Sequence, residues 1–128
     1  MTTVTFYKRE DGLITGFRAQ GHADYAEYGS DIVCAAISSL TQAACMGLKD
    51  VVKANVTITT DGGKGLCEAF ISDDETPQVL QEAQVLLRTL ELSLTAISEQ
   101  KRYSGNIRIT TRERRQKHDF DGSTAVRA

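Results

Sequence analysis

Hydrophobic and polar residues follow two different periods along this chain, and the two periods alternate in blocks. Period-two alternation predicts strands over residues 2–7, 13–21 and 55–60, and short apolar runs predict further strands over 66–71 and 107–111. In the second strand the alternation predicts two opposite faces, formed by Leu13, Thr15, Phe17 and Ala19 on one side and by Ile14, Gly16, Arg18 and Gln20 on the other. Asp11-Gly12 and the run from Asp61 to Gly65 are typical of hairpin turns.

Apolar residues recur at three- and four-residue spacing over residues 30–53 and 77–101, which predicts two long helices. Ser30 or Asp31 suits the N-cap of the first, and Thr76-Pro77 suits the start of the second. The order ββαββαβ favours an α+β fold with two layers, a mostly antiparallel five-stranded sheet and two helices. We expect a single domain over residues 1–111 and a flexible C-terminal tail over 112–128.

The composition is ordinary for a globular protein, with 128 residues, 41% hydrophobic residues and a net charge of -2. Direct RNA binding is therefore not expected, and the basic residues from Arg112 to Lys117 are interpreted as a solvated tail, with Arg114 among them. No stretch suggests a membrane span of ~20 apolar residues or a signal peptide, so we expect no membrane partner and a cytoplasmic location.

Three cysteines, Cys34, Cys45 and Cys67, form no C-x-x-C pair, so neither a disulfide framework nor a zinc ribbon is indicated. We expect reduced thiols, with Cys45 and Cys67 as structural packing residues. A metal site built from His22, Asp31 and Cys34 would lack a fourth ligand, so no metal and no cofactor are predicted. The glycines after Asp61 lack phosphate-loop spacing and are interpreted as a turn.

The stretch GHADYAEYGSDIVCAAISS, residues 21–39, concentrates the unusual chemistry. His22 follows a predicted strand, and Cys34 lies near the start of a predicted helix, where free amides favour an anion or an oxyanion. A histidine base beside a thiol nucleophile indicates acyl transfer. Spacing alone favours an inert core role for Cys34 over a catalytic one. Asp31 could orient His22 or a substrate amide, although spacing alone favours a role in capping the helix.

Gly21-His22, an eleven-residue spacer and Cys34-Ala35, with Gly29 and Asp31-Ile32-Val33 before the cysteine, closely resemble the bacterial ribosomal-processing cysteine protease family called Prp. The resemblance implies an endopeptidase that removes the N-terminal extension of ribosomal large-subunit protein twenty-seven and cleaves after aromatic residues. It implies Cys34 as nucleophile and His22 as general base, and it leaves the role of Asp31 open. It also implies a homodimer and a mobile substrate loop that contains Ala23, Asp24, Tyr25, Tyr28, Gly29 and Ser30.

A second hypothesis belongs to a different functional class. The chain could be a non-catalytic, ribosome-associated protein-binding module, with residues 21–39 as its docking element. The near-neutral charge argues against a large RNA footprint but leaves a protein partner open. The reactivity of Cys34 toward a thiol reagent would separate the two hypotheses, because only a protease needs an activated thiolate.

Overall fold

The computed structural model describes residues 1–21 and 30–114 of the chain, and the side chains of Ser30 and Asp31 lie outside that description. The order of elements is the predicted one. The strands and helices are β1 (Thr2–Lys8), β2 (Ile14–Gln20), α1 (Ser30–Met46), β3 (Val56–Asp61), β4 (Leu66–Ile71), α2 (Pro77–Ser98) and β5 (Ile107–Glu113).

The five strands form one sheet in the order β3-β4-β2-β1-β5, and the two helices cover one of its faces. Three of the four strand pairs are antiparallel, and only β1 and β5 run parallel, since α2 carries the chain back across the sheet. This architecture confirms the predicted α+β fold. The core lies between the sheet and the helices, and its largest fully buried side chains include Val4, Phe6, Ile14, Phe17, Leu48, Ile71, Leu87 and Leu94.

The start of β2 departs from strict alternation. Tyr7 pairs with Gly16 and Lys8 pairs with Ile14, so Thr15 is an extra residue and forms a β-bulge. The bulge turns Ile14 to the core face, where it is 1% exposed. The predicted assignment of Ile14 to the opposite face is therefore wrong, because period two fails across a bulge.

Helix α1 continues into a π-helical turn over Gly47–Val51 that is capped by Val52. Lys53 follows outside the helix, with a left-handed φ of 60°. Contrary to expectation, Ile32–Val51 is long and apolar enough by composition to span a membrane, with a mean hydropathy of 1.4. Its apolar side instead contributes Val33, Ile37 and Leu48 to the core. At Gly47 the helices approach closely, since a Cβ there would lie 2.8 Å from Leu86.

Helix α2 begins as predicted. The Thr76 hydroxyl accepts a hydrogen bond from the Val79 amide at 3.3 Å, and Pro77 occupies the first helical turn, where a missing N–H costs nothing. Of the acidic residues before the helix, Glu75 bonds to neighbouring backbone amides, and Asp73 forms an ion pair with Arg114 at 3.9 Å. Glu75 accepts hydrogen bonds from the amides of Asn55 at 2.6 Å and Thr76 at 2.8 Å.

The last strand extends two residues further than predicted, to Glu113, and the following Arg114 is buried at 7% exposure. Its guanidinium lies 4.8 Å from the centre of the Phe70 ring and donates to the carbonyls of Ile71 and Thr15. The interpretation of Arg114 as a solvated tail residue is therefore wrong, because composition cannot show that a sheet face will cover it. Residues 115–128 lie outside the described residues, so a flexible tail there stays a prediction.

Candidate active site

An open cleft of about 700 Å³ lies where β2 ends beside the first half of α1. Its walls come from β1, β2, α1, and the hairpin that joins β3 to β4. The lining residues are Thr2, Ala19, Gly21, Cys34, Ile37, Ser38, Thr41, Gln42, Thr60, Gly62, Gly65, Leu66 and Cys67. The cleft thus combines two thiols, several hydroxyl groups and a partly apolar surface.

Cys34 is half-buried and is the fifth residue of α1. Together with Ser38 and Thr41 of the same helix it lines the cleft. Helical side chains lean toward the helix start, so the thiol is directed toward the first turn. The Cys34 amide lies beyond the four N–H groups that a helix leaves unpaired. Any oxyanion donors from this helix start therefore belong to earlier residues.

Gly21 fixes the end of β2 at the rim of the cleft. Its amide donates to the Gly65 carbonyl at 3.1 Å, and its carbonyl accepts from the Thr2 hydroxyl at 3.1 Å. Its φ is +111°, and a Cβ there would lie 2.5 Å from the Met1 carbonyl oxygen, so only glycine fits. The glycine of the Gly-His pair therefore has a backbone role. It holds the end of β2 in place directly before His22 in the sequence.

The turn between β3 and β4 forms the opposite rim. Asp61 accepts hydrogen bonds from the amides of Gly63 at 3.0 Å and Lys64 at 3.3 Å. The 3-10 turn Gly62–Lys64 then ends at Gly65, with a left-handed φ of 59°. The carboxylate occupies the amides that a phosphate would need, which confirms the interpretation of this glycine-rich run as a hairpin turn.

The sequence did not predict that two of the three cysteines would meet. The sulfurs of Cys45 and Cys67 lie 3.8 Å apart, between α1 and β4. Cys45 is buried, while Cys67 is half-buried and reaches the cleft. The contact with Cys45 lowers the pKa of the Cys67 thiol to about 7, and the same contact raises the pKa of Cys45. The interpretation of Cys67 as only a packing residue is therefore incomplete.

Several predicted site residues lie outside the described residues. These are His22 and the loop residues Ala23, Asp24, Tyr25, Tyr28 and Gly29, and the side chains of Ser30 and Asp31. The backbone of Ser30 and Asp31 forms the first turn of α1, as predicted. Within residues 1–21 and 30–114, no group of three metal-ligating side chains converges on one point.

Comparison with known proteins places this fold and cleft in a family. The sequence profile of the family described as "Cysteine protease Prp" matches residues 1–108. The chain is similar to the ribosomal processing cysteine protease Prp of Bacillus subtilis (strain 168), with 33% identity over 115 residues, which are 87% of this chain and 97% of that protein. It is 32% identical over 109 residues to the protein of the same name from Staphylococcus aureus (strain Mu50), covering 85% of this chain and 97% of that one.

Solved structures agree with the sequence comparison. The crystal structure of the S. aureus Prp protease with a substrate peptide has a TM-score of 0.75 and 29% identity, over 88% of this chain and all of that one. The complex of the same protease with a covalently linked product peptide has a TM-score of 0.72 and 30% identity, over the same shares of the two chains.

Family membership decides between the two hypotheses of the sequence analysis. A profile match over most of the chain, relatives above 30% identity and matching folds agree with one another. The non-catalytic binding module is therefore set aside in favour of a peptide-bond hydrolase. This chain belongs to the Prp family of cysteine proteases.

Proposed function

We propose that this protein is an endopeptidase that removes the N-terminal extension of ribosomal large-subunit protein twenty-seven, with Cys34 as nucleophile and His22 as general base. The observation that carries the proposal is the shared cleft: Cys34 and Gly21, which is covalently bonded to His22, line the same opening. The relatives named ribosomal processing protease support the substrate class.

The proposed reaction is acyl transfer in two steps. His22 takes the proton of the Cys34 thiol, and the thiolate attacks the carbonyl carbon of the cleaved peptide bond. The tetrahedral intermediate collapses when His22 returns the proton to the leaving amine, which leaves the N-terminal fragment as a thioester on Cys34. Water, deprotonated by His22, then hydrolyses the thioester and restores the thiol.

The walls of the cleft suit an extended peptide with an apolar residue beside the cleaved bond. Ile37 and Leu66 contribute apolar surface, while Thr2, Ser38 and Thr60 contribute hydroxyl groups at the rim. An aromatic side chain before the cleaved bond would bury its ring against the apolar part. We also propose that the protein acts in the cytoplasm and forms a homodimer, as the motif resemblance implies. Light scattering would measure the molar mass in solution and so test the homodimer.

Cleavage of a synthetic peptide that spans the extension tests the proposal. Cys34→Ala and Cys34→Ser are expected to abolish detectable cleavage, because no other group at this position can form the thioester. Cys45→Ser is the matched control, since it replaces a buried thiol that does not line the cleft, and it should retain cleavage. Cleavage by Cys34→Ala at the rate of the unmodified protein would contradict the proposal.

A further inference from the structure

Cys45 and Cys67 form a pair of thiols directly behind the cleft. Their sulfurs are 3.8 Å apart, and each belongs to a different element, α1 and β4. A disulfide needs a sulfur separation of about 2.05 Å, so a movement of less than 2 Å would bring the sulfurs to bonding distance. Cys67 lines the cleft and can meet a small dissolved oxidant, whereas buried Cys45 can react only with its neighbour.

The surroundings of Cys67 favour its thiolate. The contact with Cys45 makes the largest contribution to lowering the pKa of the Cys67 thiol, and the nearby Thr41 hydroxyl lowers it further. Burial and the charge of Glu68 act in the opposite direction and raise this pKa. Thr41 donates its single hydrogen to the Ile37 carbonyl at 2.8 Å and can turn it toward a sulfur anion. Because the thiolate is the reactive form, the outer thiol of the pair is also the one suited to react first.

We propose that Cys45 and Cys67 are a redox modification site, at which a peroxide forms a reversible disulfide between α1 and β4. The Cys67 thiolate attacks one peroxide oxygen and becomes a sulfenic acid, while the other oxygen leaves as hydroxide and takes up a proton to become water. The Cys45 thiol then attacks the Cys67 sulfur, the sulfur–oxygen bond breaks, and the departing hydroxide takes the Cys45 proton to become a second water as the disulfide forms. A dithiol reductant restores both thiols by thiol–disulfide exchange.

Disulfide formation would change the cleft because α1 carries both Cys45 and the cleft residues Cys34 and Thr41. Drawing Cys45 toward Cys67 pulls this helix toward β4, and both Thr41 on the helix and Cys67 on the strand line the opening. The oxidised protein is therefore expected to bind substrate peptide more weakly than the reduced protein. This consequence rests on the proposed function, whereas the disulfide itself does not.

Peptide mapping after peroxide treatment tests the site in the full-length Cys34→Ala protein, from which the third thiol has been removed. The expected product has lost two hydrogens, contains a peptide that joins Cys45 to Cys67, and returns to the starting mass with dithiothreitol. Oxidation of Cys67 to sulfinic acid without a joined peptide would overturn the proposal, and so would two thiols that stay free.

Two single variants in the same background separate a specific pair from general thiol oxidation. Cys45→Ser should leave Cys67 to advance to sulfinic acid, which dithiothreitol does not reverse. Cys67→Ser should leave the buried Cys45 unoxidised under the same conditions. Rapid oxidation of Cys45 in the Cys67→Ser protein would contradict the assigned order of reaction, because it would show that Cys45 needs no partner to react.

Binding of the extension peptide to the Cys34→Ala protein tests the functional consequence. The disulfide form should bind about tenfold more weakly than the reduced form, which corresponds to about 1.4 kcal/mol. Equal affinities would overturn the predicted effect on the cleft. Absence of binding by the reduced protein would contradict the proposed function instead, while the peptide mapping would still decide whether the disulfide forms.

Discussion

The two ends of strand β2 use polar groups in opposite ways. At its start, Gln84 of α2 is bound to both backbone groups of Ile14, accepting from its N–H at 2.8 Å and donating to its carbonyl at 2.8 Å. At its end, Gly21 opens onto a cleft where the Cys34 thiol faces space that a peptide can fill. At the start of β2 a buried side chain is bound to the backbone, whereas at its end the Cys34 thiol is left facing an open cleft.

The same contrast holds for charged and aromatic groups. Beside the start of β2, Arg114 is buried over Phe70, and the Tyr7 and Phe70 rings lie 5.0 Å apart above Gly16. A Cβ on Gly16 would lie 2.4 Å from the Phe70 ring, so the aromatic pair depends on that glycine. Substitutions at this end should therefore change stability with little direct effect on chemistry, and substitutions at the cleft should do the reverse.

The largest expected effect is on turnover, at His22. His22→Ala should lower kcat/KM for the extension peptide by about 10²–10⁴-fold, because the variant loses the proposed general base. The free energy of unfolding should change little. His118→Ala removes the other histidine of the chain and is the matched control, with unchanged kcat/KM expected. Steady-state cleavage assays check both variants. If His22→Ala and His118→Ala cleaved the peptide at equal rates, the proposed role of His22 in catalysis would be contradicted.

Gly21 is the one cleft position where a large stability effect is expected. Gly21→Ala combines a left-handed φ with a Cβ 2.5 Å from the Met1 carbonyl oxygen, and it should lower the free energy of unfolding by about 3 kcal/mol. Gly12→Ala has a similar φ of +89° but no atom within 4 Å, so strain alone should give about 1 kcal/mol. Urea unfolding measures both, and equal losses would show that the Met1 contact is unimportant.

Gln84→Met keeps the length of the side chain but leaves both Ile14 backbone groups without their buried partner. The expected loss is about 2–3 kcal/mol, since an unpaired buried polar group is costly. Gln81→Met on the exposed side of the same helix should stay within about 0.5 kcal/mol of the unmodified protein. Thermal unfolding of the two variants side by side is the measurement, and a neutral Gln84→Met would show that the bulge does not depend on α2.

Arg114→Met should lower the free energy of unfolding by about 1–2 kcal/mol, through loss of the ring contact and of the carbonyl hydrogen bonds. Arg112→Met, at an exposed position of β5 two residues before Arg114, is the control and should be close to neutral. Chemical unfolding checks the difference. If the two variants were equally stable, Arg114 would behave as the tail residue that the sequence suggested.

The smallest expected effect concerns the N-cap of α2, which belongs to neither end of strand β2. Thr76→Ala removes the hydroxyl that accepts from the Val79 amide and should cost about 1 kcal/mol. Thr76→Ser keeps the cap and should recover most of that loss. Thermal unfolding is the check, and an unchanged midpoint in Thr76→Ala would mean that water replaces the cap at no cost.

The sequence alone determined the order of elements, the sheet of five strands and the position of Cys34 near a helix start. These features depend on local periodicity and turn chemistry, which adjacent residues encode. The Gly-His and Cys-Ala motif with its fixed spacer also identified the family. Even the turn after Asp61 was predictable, because its glycines lack the spacing of a phosphate loop.

The tertiary structure decided what depends on contacts between distant residues. The burial of Arg114 over Phe70 and the meeting of Cys45 with Cys67 involve elements far apart in sequence. The bulge at Thr15 belongs to a local hairpin, but it places Ile14 against Gln84, which is 70 residues away. No local pattern records which side chain will cover another, because burial follows from the packing of whole elements. The sequence thus predicted Cys34 as the nucleophile, and only the folded chain showed the cleft that Cys34 lines and the pair of thiols behind it.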